Sequence, residues 1–173
     1  MKMTNKNLHR TIMLSGGFDP IHIGHVRMIL AAQKLLSENG SIIIAANSDE
    51  WLMRKKGYIF MPWDERAEIL RAIKGVAEVT VVDDADGTVC EALRRLEPDL
   101  FGNGGDRNNK NTPEKAVCKE LGIKMVWGLG GSKIQSSSDL VKDSNLIVDL
   151  DIEDIDVGAP SKRILLRGKG CEN

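Results

Sequence analysis

His22 and His25, separated by Ile23-Gly24 and preceded by Gly16-Gly17-Phe18-Asp19-Pro20-Ile21, are the residues of this chain whose types and spacing could do chemistry. Two imidazoles spaced i, i+3 at the start of a helix share one face and can reach one anion together. A glycine pair before them lets the backbone approach a phosphate. A helix opening at the same place turns N–H groups and the positive end of its dipole toward that phosphate. Each feature alone has a plain reading: a glycine turn kept for packing, or a histidine that fills a core or surface position. Their combination points to a nucleotide site.

The elements needed to hold such a site are written around it. A short apolar run over residues 11–14 leads in and an apolar-periodic segment over 26–37 leads away, which predicts strand, glycine turn, helix. Further apolar, β-branched runs predict strands over 41–46, 78–82, 99–101 and 123–127. Between them, helices are predicted over 64–73, 89–96 and 113–121. The last opens on Thr112-Pro113-Glu114 as cap, first-turn proline and first-turn acid. Strands with few polar positions that alternate with helices predict an α/β fold: a Rossmann-like, doubly wound, five-stranded parallel sheet covered on both faces. Ligands of such a sheet sit beyond the C-terminal strand ends at the topological switch point, and the glycine–histidine motif begins at the end of the first strand. One domain is expected over 1–150, with 146–150 read as a short strand. Residues 151–173 are an appendage for which docking, a dimer contact and mobility all stay open.

The chain has 173 residues, enough for one domain with a sizeable core. Its hydrophobic fraction of 42% and charged fraction of 28% are those of an ordinary globular protein. No apolar run approaches the roughly 18 residues that cross a bilayer, and His9 and Arg10 interrupt the place where a signal peptide would need its apolar stretch. A cytoplasmic protein without a membrane partner is therefore expected. Cys90, Cys118 and Cys171 are odd in number and widely spaced, which argues against a disulfide framework or structural zinc. With 24 basic against 25 acidic residues there is no footprint for a nucleic-acid partner, so phosphate binding must be local.

His-x-Gly-His directly behind Gly-Phe-Asp-Pro closely resembles the signature of the nucleotidyltransferase superfamily, which contains the cytidylyltransferases and several adenylyltransferases. Later segments follow in the matching order: Asn47-Ser48-Asp49, Lys55-Lys56-Gly57, Asp64-Glu65-Arg66, then Pro98-Asp99 leading to Asn103-Gly104-Gly105-Asp106, and finally Gln135-Ser136-Ser137-Ser138. This succession is similar to the adenylyltransferase domain that activates heptose 1-phosphate and to glycerol-3-phosphate cytidylyltransferase, over about residues 10–145. The cytidylyltransferase's arginine is absent from Gly130-Gly131-Ser132-Lys133-Ile134-Gln135-Ser136, which tilts the reading toward adenylyl transfer. The opening motif equally resembles nicotinate-mononucleotide adenylyltransferase, so ATP and CTP both stay open as donors.

The resemblance implies transfer of AMP or CMP from ATP or CTP to a phosphorylated sugar or polyol, with release of pyrophosphate, Mg²⁺ as cofactor and a homodimer as the assembly. The attacking phosphate is already ionised, so catalysis reduces to positioning and to neutralising about six negative charges. His22 and His25 would donate hydrogen bonds to the α-phosphate, and Lys56 would neutralise phosphate between donor and acceptor. Lys55 is the alternate for that role and an acceptor-binding candidate, as is Asp49 for an acceptor hydroxyl. Gly16, Gly17, Phe18 and Gly24 would surround the nucleotide, joined by Asn103 and Gly105. Arg66 is read as a fork onto phosphate, as a brace through a carboxylate, or as an exposed helix residue. Ser136, Ser137 and Ser138 would hold the β- and γ-phosphates or form a plain N-cap. Asp19 could position the acceptor, support a metal or cap a turn, and Asp106 could meet ribose or metal-bound water. No side-chain set is expected as a dedicated metal site. A rival of another class is a non-catalytic nucleotide-binding domain, whose mark would be a broken His-x-Gly-His or a missing serine loop; neither is seen here.

Overall fold

The computed structural model describes residues 9–105, 112–132 and 135–148. Among these, five parallel strands form one sheet in the order β3-β2-β1-β4-β5. They are β1 (His9–Gly16), β2 (Leu36–Ala46), β3 (Val76–Val81), β4 (Leu100–Gly104) and β5 (Lys124–Leu129). Alternation along β1 sends Ile12 and Leu14 into a core shared with Ile29, Ile42, Ile44 and Leu70, and Met13 into a second core with Ala45, Leu93, Phe101 and Val117. Both faces are therefore covered, as predicted. The chain winds from β1 outward to β3, then crosses to β4 on the other side, which puts the switch point between β1 and β4.

The helices are α1 (Ile23–Gln33), α2 (Asp49–Lys56), α3 (Trp63–Arg71), α4 (Cys90–Leu96), α5 (Lys115–Leu121) and α6 (Ser137–Val148). Helix α1 starts three residues before the expected point because the histidines themselves cap it, and it stops at Gln33 because Leu36 already pairs with His9 in β2. Helix α5 opens at Lys115, after Thr112-Pro113, with Glu114 at the cap position and no side-chain capping bond. The Glu114 carboxylate is instead buried, accepting from the Val89 N–H at 3.3 Å. Asp99 stands just before β4, where its carboxylate accepts from the N–H groups of Arg10 and Thr11 at 2.9 Å and ties β4 to β1.

Two corrections concern whole elements. Helix α2 was not predicted, since its apolar residues, Trp51, Leu52 and Met53, are consecutive and give no helical period. Yet its ends are well signalled: the Ser48 hydroxyl accepts from the Trp51 N–H at 3.0 Å, and Gly57 closes the helix at φ 78°. Asp49 and Glu50 in its first turn and Arg54, Lys55 and Lys56 in its last all suit the helix dipole. At the other end of the chain, residues 146–148, read as a strand, close helix α6. Residues 149–150 and the appendage 151–173 lie outside the described residues.

Candidate active site

At the C-terminal ends of β1 and β4 a cleft of about 370 Å³ opens between the glycine turn, α1, the end of α2 and the start of α6. It is lined by His22, His25 and Lys56, by Gly17, Phe18 and Gly24, by Asn103 and Gly105, and by Ser136, Ser137 and Ser138. Residues distant in sequence thus converge on one wall-to-wall space at the switch point.

The two histidines form a reciprocal cap. His22 is the N-cap of α1, and its Nδ1 accepts from the Gly24 N–H at 3.1 Å, while the Nδ1 of His25 accepts from the His22 N–H at 3.3 Å. The rings lie 3.9 Å apart between centroids, tilted by 30°. Gly24 is needed for this, because a Cβ there would stand 2.8 Å from the His22 ring. The arrangement changes what the helix end offers. Three of the N–H groups at this helix start are taken up locally: those of His22 and Gly24 go to the rings and that of His25 goes to the His22 carbonyl at 2.9 Å. An Nδ1 that accepts leaves the neutral ring's proton on Nε2. The imidazoles therefore carry the donor capacity of the helix terminus outward by the length of a ring.

Burial, then the neighbouring His22 and Lys56, push the His25 imidazole down to about 3. It is neutral at physiological pH and acts as a hydrogen-bond donor, not as a cation. An unfolded chain holds this proton up to the ordinary value of 6.5, so between 3 and 6.5 the unfolded state binds more protons than the native one. The stability contributed by neutral His25 is complete above about pH 6.5 and is lost as pH falls toward 3. We expect the urea midpoint to drop more between pH 7 and pH 4.5 in the wild type than in His25→Asn; parallel losses would contradict the assignment.

Lys56 supplies the charge. Among the described residues lining the cleft it is the one side-chain cation. Its Nζ donates to the Asp19 carbonyl at 2.6 Å, and burial is the main cause holding its ammonium below the usual lysine range, with Arg66 adding to the effect and Asp19 opposing it. Phe18, buried and left-handed at φ 50°, lays its ring 4.8 Å from that of His25 and forms the turn's inner wall. A bulky residue in that region is strained, and such strain persists where the surrounding structure over-determines it. The Ser136 hydroxyl caps the start of α6 by accepting from the Asp139 N–H at 3.1 Å, and the Ser137 hydroxyl donates to the Pro20 carbonyl at 2.9 Å. These bonds fasten the serine loop to the histidine turn. Asn103, 2% exposed, keeps its Nδ2 donor without a partner among the described residues at the cleft wall.

Other expected site residues stand behind the cleft rather than in it. The Arg66 guanidinium, with 0% exposure, donates to the carbonyls of Gly17 at 2.7 Å, Asn47 at 3.0 Å and Met61 at 3.0 Å and pairs with the Asp49 carboxylate. With every nitrogen committed Arg66 is a brace, not a phosphate fork, and Asp49, which also accepts from the Trp63 N–H at 3.1 Å, is that brace's counter-ion and does not line the cleft. The Asp19 carboxylate is buried, accepting from the N–H groups of Phe60 and Met61, so it ties down the loop after α2 and does not line the cleft. Gly16 ends β1 without lining the cleft, and Lys55 faces a neighbouring cavity. Asp106 lies outside the described residues.

The sequence reading missed Trp51, Met28, Leu129 and Gly130, which also line the cleft. The capped helix between Ser48 and Gly57 was the available signal for Trp51. The others come from the packing of the β5–α6 loop on α1, for which no local signal exists.

The cytidylyltransferase-like family matches residues 13–144. The chain is similar to the bifunctional protein HldE of Streptomyces coelicolor, at 35% identity over 121 residues, 68% of this chain and 25% of that protein, so it spans about a quarter of that relative. It is also similar to the FAD synthase of Thermococcus onnurineus, at 33% identity over 123 residues, 70% of this chain and 79% of that protein. Among solved structures, the lipopolysaccharide core biosynthesis protein from Thermoplasma volcanium superposes with a TM-score of 0.57 over 69% of this chain and 95% of its own, at 21% identity, a likeness of fold. The family match begins within β1 and ends within α6, taking in the elements that build the cleft, and the chain belongs to the cytidylyltransferase-like family of nucleotidyltransferases.

Proposed function

We propose that this protein transfers the adenylyl group of ATP to a small phosphorylated sugar or polyol and releases pyrophosphate. The observation that carries the reading is the convergence of the capped histidine pair, Lys56 and the serine loop on one cleft at the switch point. The likeness to FAD synthases favours adenylyl as the group transferred, because FAD is the adenylylated form of a phosphorylated polyol chain.

An oxygen of the acceptor phosphate attacks the α-phosphorus, a new P–O bond forms, and the bond to the β-phosphate oxygen breaks with its electron pair leaving on pyrophosphate. No proton has to be removed from the nucleophile. His22 and His25 donate to the α-phosphate oxygens as charge builds there, and Lys56 offsets charge between the two phosphates. At the start of α6 the Ser136 and Ser137 hydroxyl protons already go to Asp139 and Pro20, so the Ser138 hydroxyl and the N–H groups of the helix start hold the leaving pyrophosphate. A helix terminus contributes roughly 0.3–2 kcal/mol, whereas even a 10⁶-fold acceleration needs about 8 kcal/mol, so these groups act together. Among the described residues no cluster of three acidic, histidine or cysteine side chains forms a metal cage. Mg²⁺ would therefore enter with the triphosphate rather than on a cage of side chains, and would supply charge neutralisation beside Lys56.

A pyrophosphate-release assay against phosphorylated sugars, polyols, FMN and nicotinate mononucleotide, run with ATP and CTP separately, tests the reading. Turnover with ATP and at least one acceptor is expected. Turnover with CTP alone would overturn the donor, and none with any pair would overturn the activity.

A further inference from the structure

Nucleotidyl transfer must house two substrates, and a cleft of about 370 Å³ is at the small end for even one small-molecule site. A second cavity of about 310 Å³ adjoins it, and Trp51 lines both. One wall of this cavity is the side of α2 that presents Trp51, Arg54 and Lys55 at i, i+3 and i+4; the other is the turn of residues 85–87 that follows β3. A buried carboxylate locks the two walls together. Asp84, 3% exposed, accepts from the Ser48 N–H at 2.8 Å, the Ser48 hydroxyl at 2.7 Å and the Asn47 amide at 3.0 Å, while its backbone carbonyl accepts from Arg54 at 2.8 Å.

The charges that remain available are unequal. Arg54 is held on Asp84, and the Asp86 carboxylate accepts from the N–H and hydroxyl of Thr88 at 2.8 and 2.9 Å. Lys55 is exposed and lines the cavity together with Trp51, where two cations face one lining carboxylate. Consecutive helix residues diverge by about 100°. Lys56 therefore serves the cleft while Lys55 serves the space beyond Trp51.

We propose that this second cavity receives the end of the acceptor remote from its reacting phosphate, and that the acceptor carries there a second anionic group, met by Lys55. An acceptor lying across Trp51 places its phosphate at Lys56 and its far anion at Lys55. The proposal rests on the nucleotidyltransfer reading and narrows its substrate class to phosphomonoesters with a distal carboxylate or phosphate.

The test uses two matched pairs of probes in which a carboxylate replaces one hydroxymethyl group: 3-phosphoglycerate against glycerol 3-phosphate, and 6-phosphogluconate against sorbitol 6-phosphate. Each is titrated by calorimetry into the full chain saturated with a non-hydrolysable ATP analogue. In at least one pair the carboxylate-bearing member should bind about tenfold tighter, and Lys55→Glu should abolish that preference while leaving affinity for the ATP analogue unchanged. Equal binding within both pairs would overturn the proposal, as would a Lys55→Glu variant that keeps the preference or weakens the ATP analogue to the same degree. Pyrophosphate release with a singly anionic acceptor, together with equal binding within the pairs, would sink this inference and leave the activity standing. Absence of pyrophosphate release with every acceptor would sink the activity itself.

Discussion

His25→Ala is expected to lower kcat by about 10²–10³-fold, the effect of removing one pre-positioned donor to a developing oxyanion, and to leave the affinity for the triphosphate within a few-fold of the wild type. The reason is the state of the ring. His25 is neutral and its Nδ1 is occupied by the His22 N–H, so its contribution to the ground state is one neutral hydrogen bond. That bond strengthens as the α-phosphate gains charge. An interaction realised mainly in the transition state appears in kcat rather than in binding. Because burial holds the ring of the free protein near 3, kcat/KM should also show no acid limb from His25 between pH 5 and 8. Pyrophosphate-release kinetics, paired with equilibrium titration of a non-hydrolysable triphosphate, measure both quantities. Equal losses in affinity and kcat would assign His25 to binding instead.

Arg66→Leu should be the most destabilising single change in the domain. It removes a fully buried guanidinium that holds the carbonyls of Gly17, Asn47 and Met61, and leaves the Asp49 carboxylate without its partner. Breaking a buried pair from one side typically costs about 3–5 kcal/mol. At roughly 2–4 °C per kcal/mol for a chain of this size, the midpoint of thermal unfolding should fall on the order of 10 °C. Arg66→Lys should not restore it, since a single ammonium cannot reach partners spread over the glycine turn, the end of β2 and α2. The double variant Arg66→Leu/Asp49→Leu should recover part of the loss, because the stranded carboxylate is gone. A midpoint within 2 °C of the wild type for Arg66→Leu would show that the brace is dispensable.

Arg66 also illustrates what a sequence can and cannot say. Its place in an acid-rich helix start is legible, but whether a forked cation reaches a ligand or a carbonyl depends on neighbours 17 and 49 positions away in the chain. Asp19 is the same case: its carboxylate sits beside the histidine motif yet serves the N–H groups of residues 60 and 61. Helix α2 went unpredicted because short helices have little room for apolar periodicity, and the caps that define this one were read as motif fragments.

The five strands, the helices α1, α3, α4 and α5, the glycine turn and the paired imidazoles were determined by the sequence alone, because each depends on contacts within a few residues: alternation, periodicity, capping and backbone freedom. Which side chains share the cleft was decided only by the tertiary structure. The crossing from β3 to β4 brings Asn103 beside the turn after β1, α6 docks its serines on Pro20, and α2 sets Lys56 toward one space and Lys55 toward another. Convergence of that kind comes from packing a twisted sheet between helices, and no local pattern in the chain encodes it.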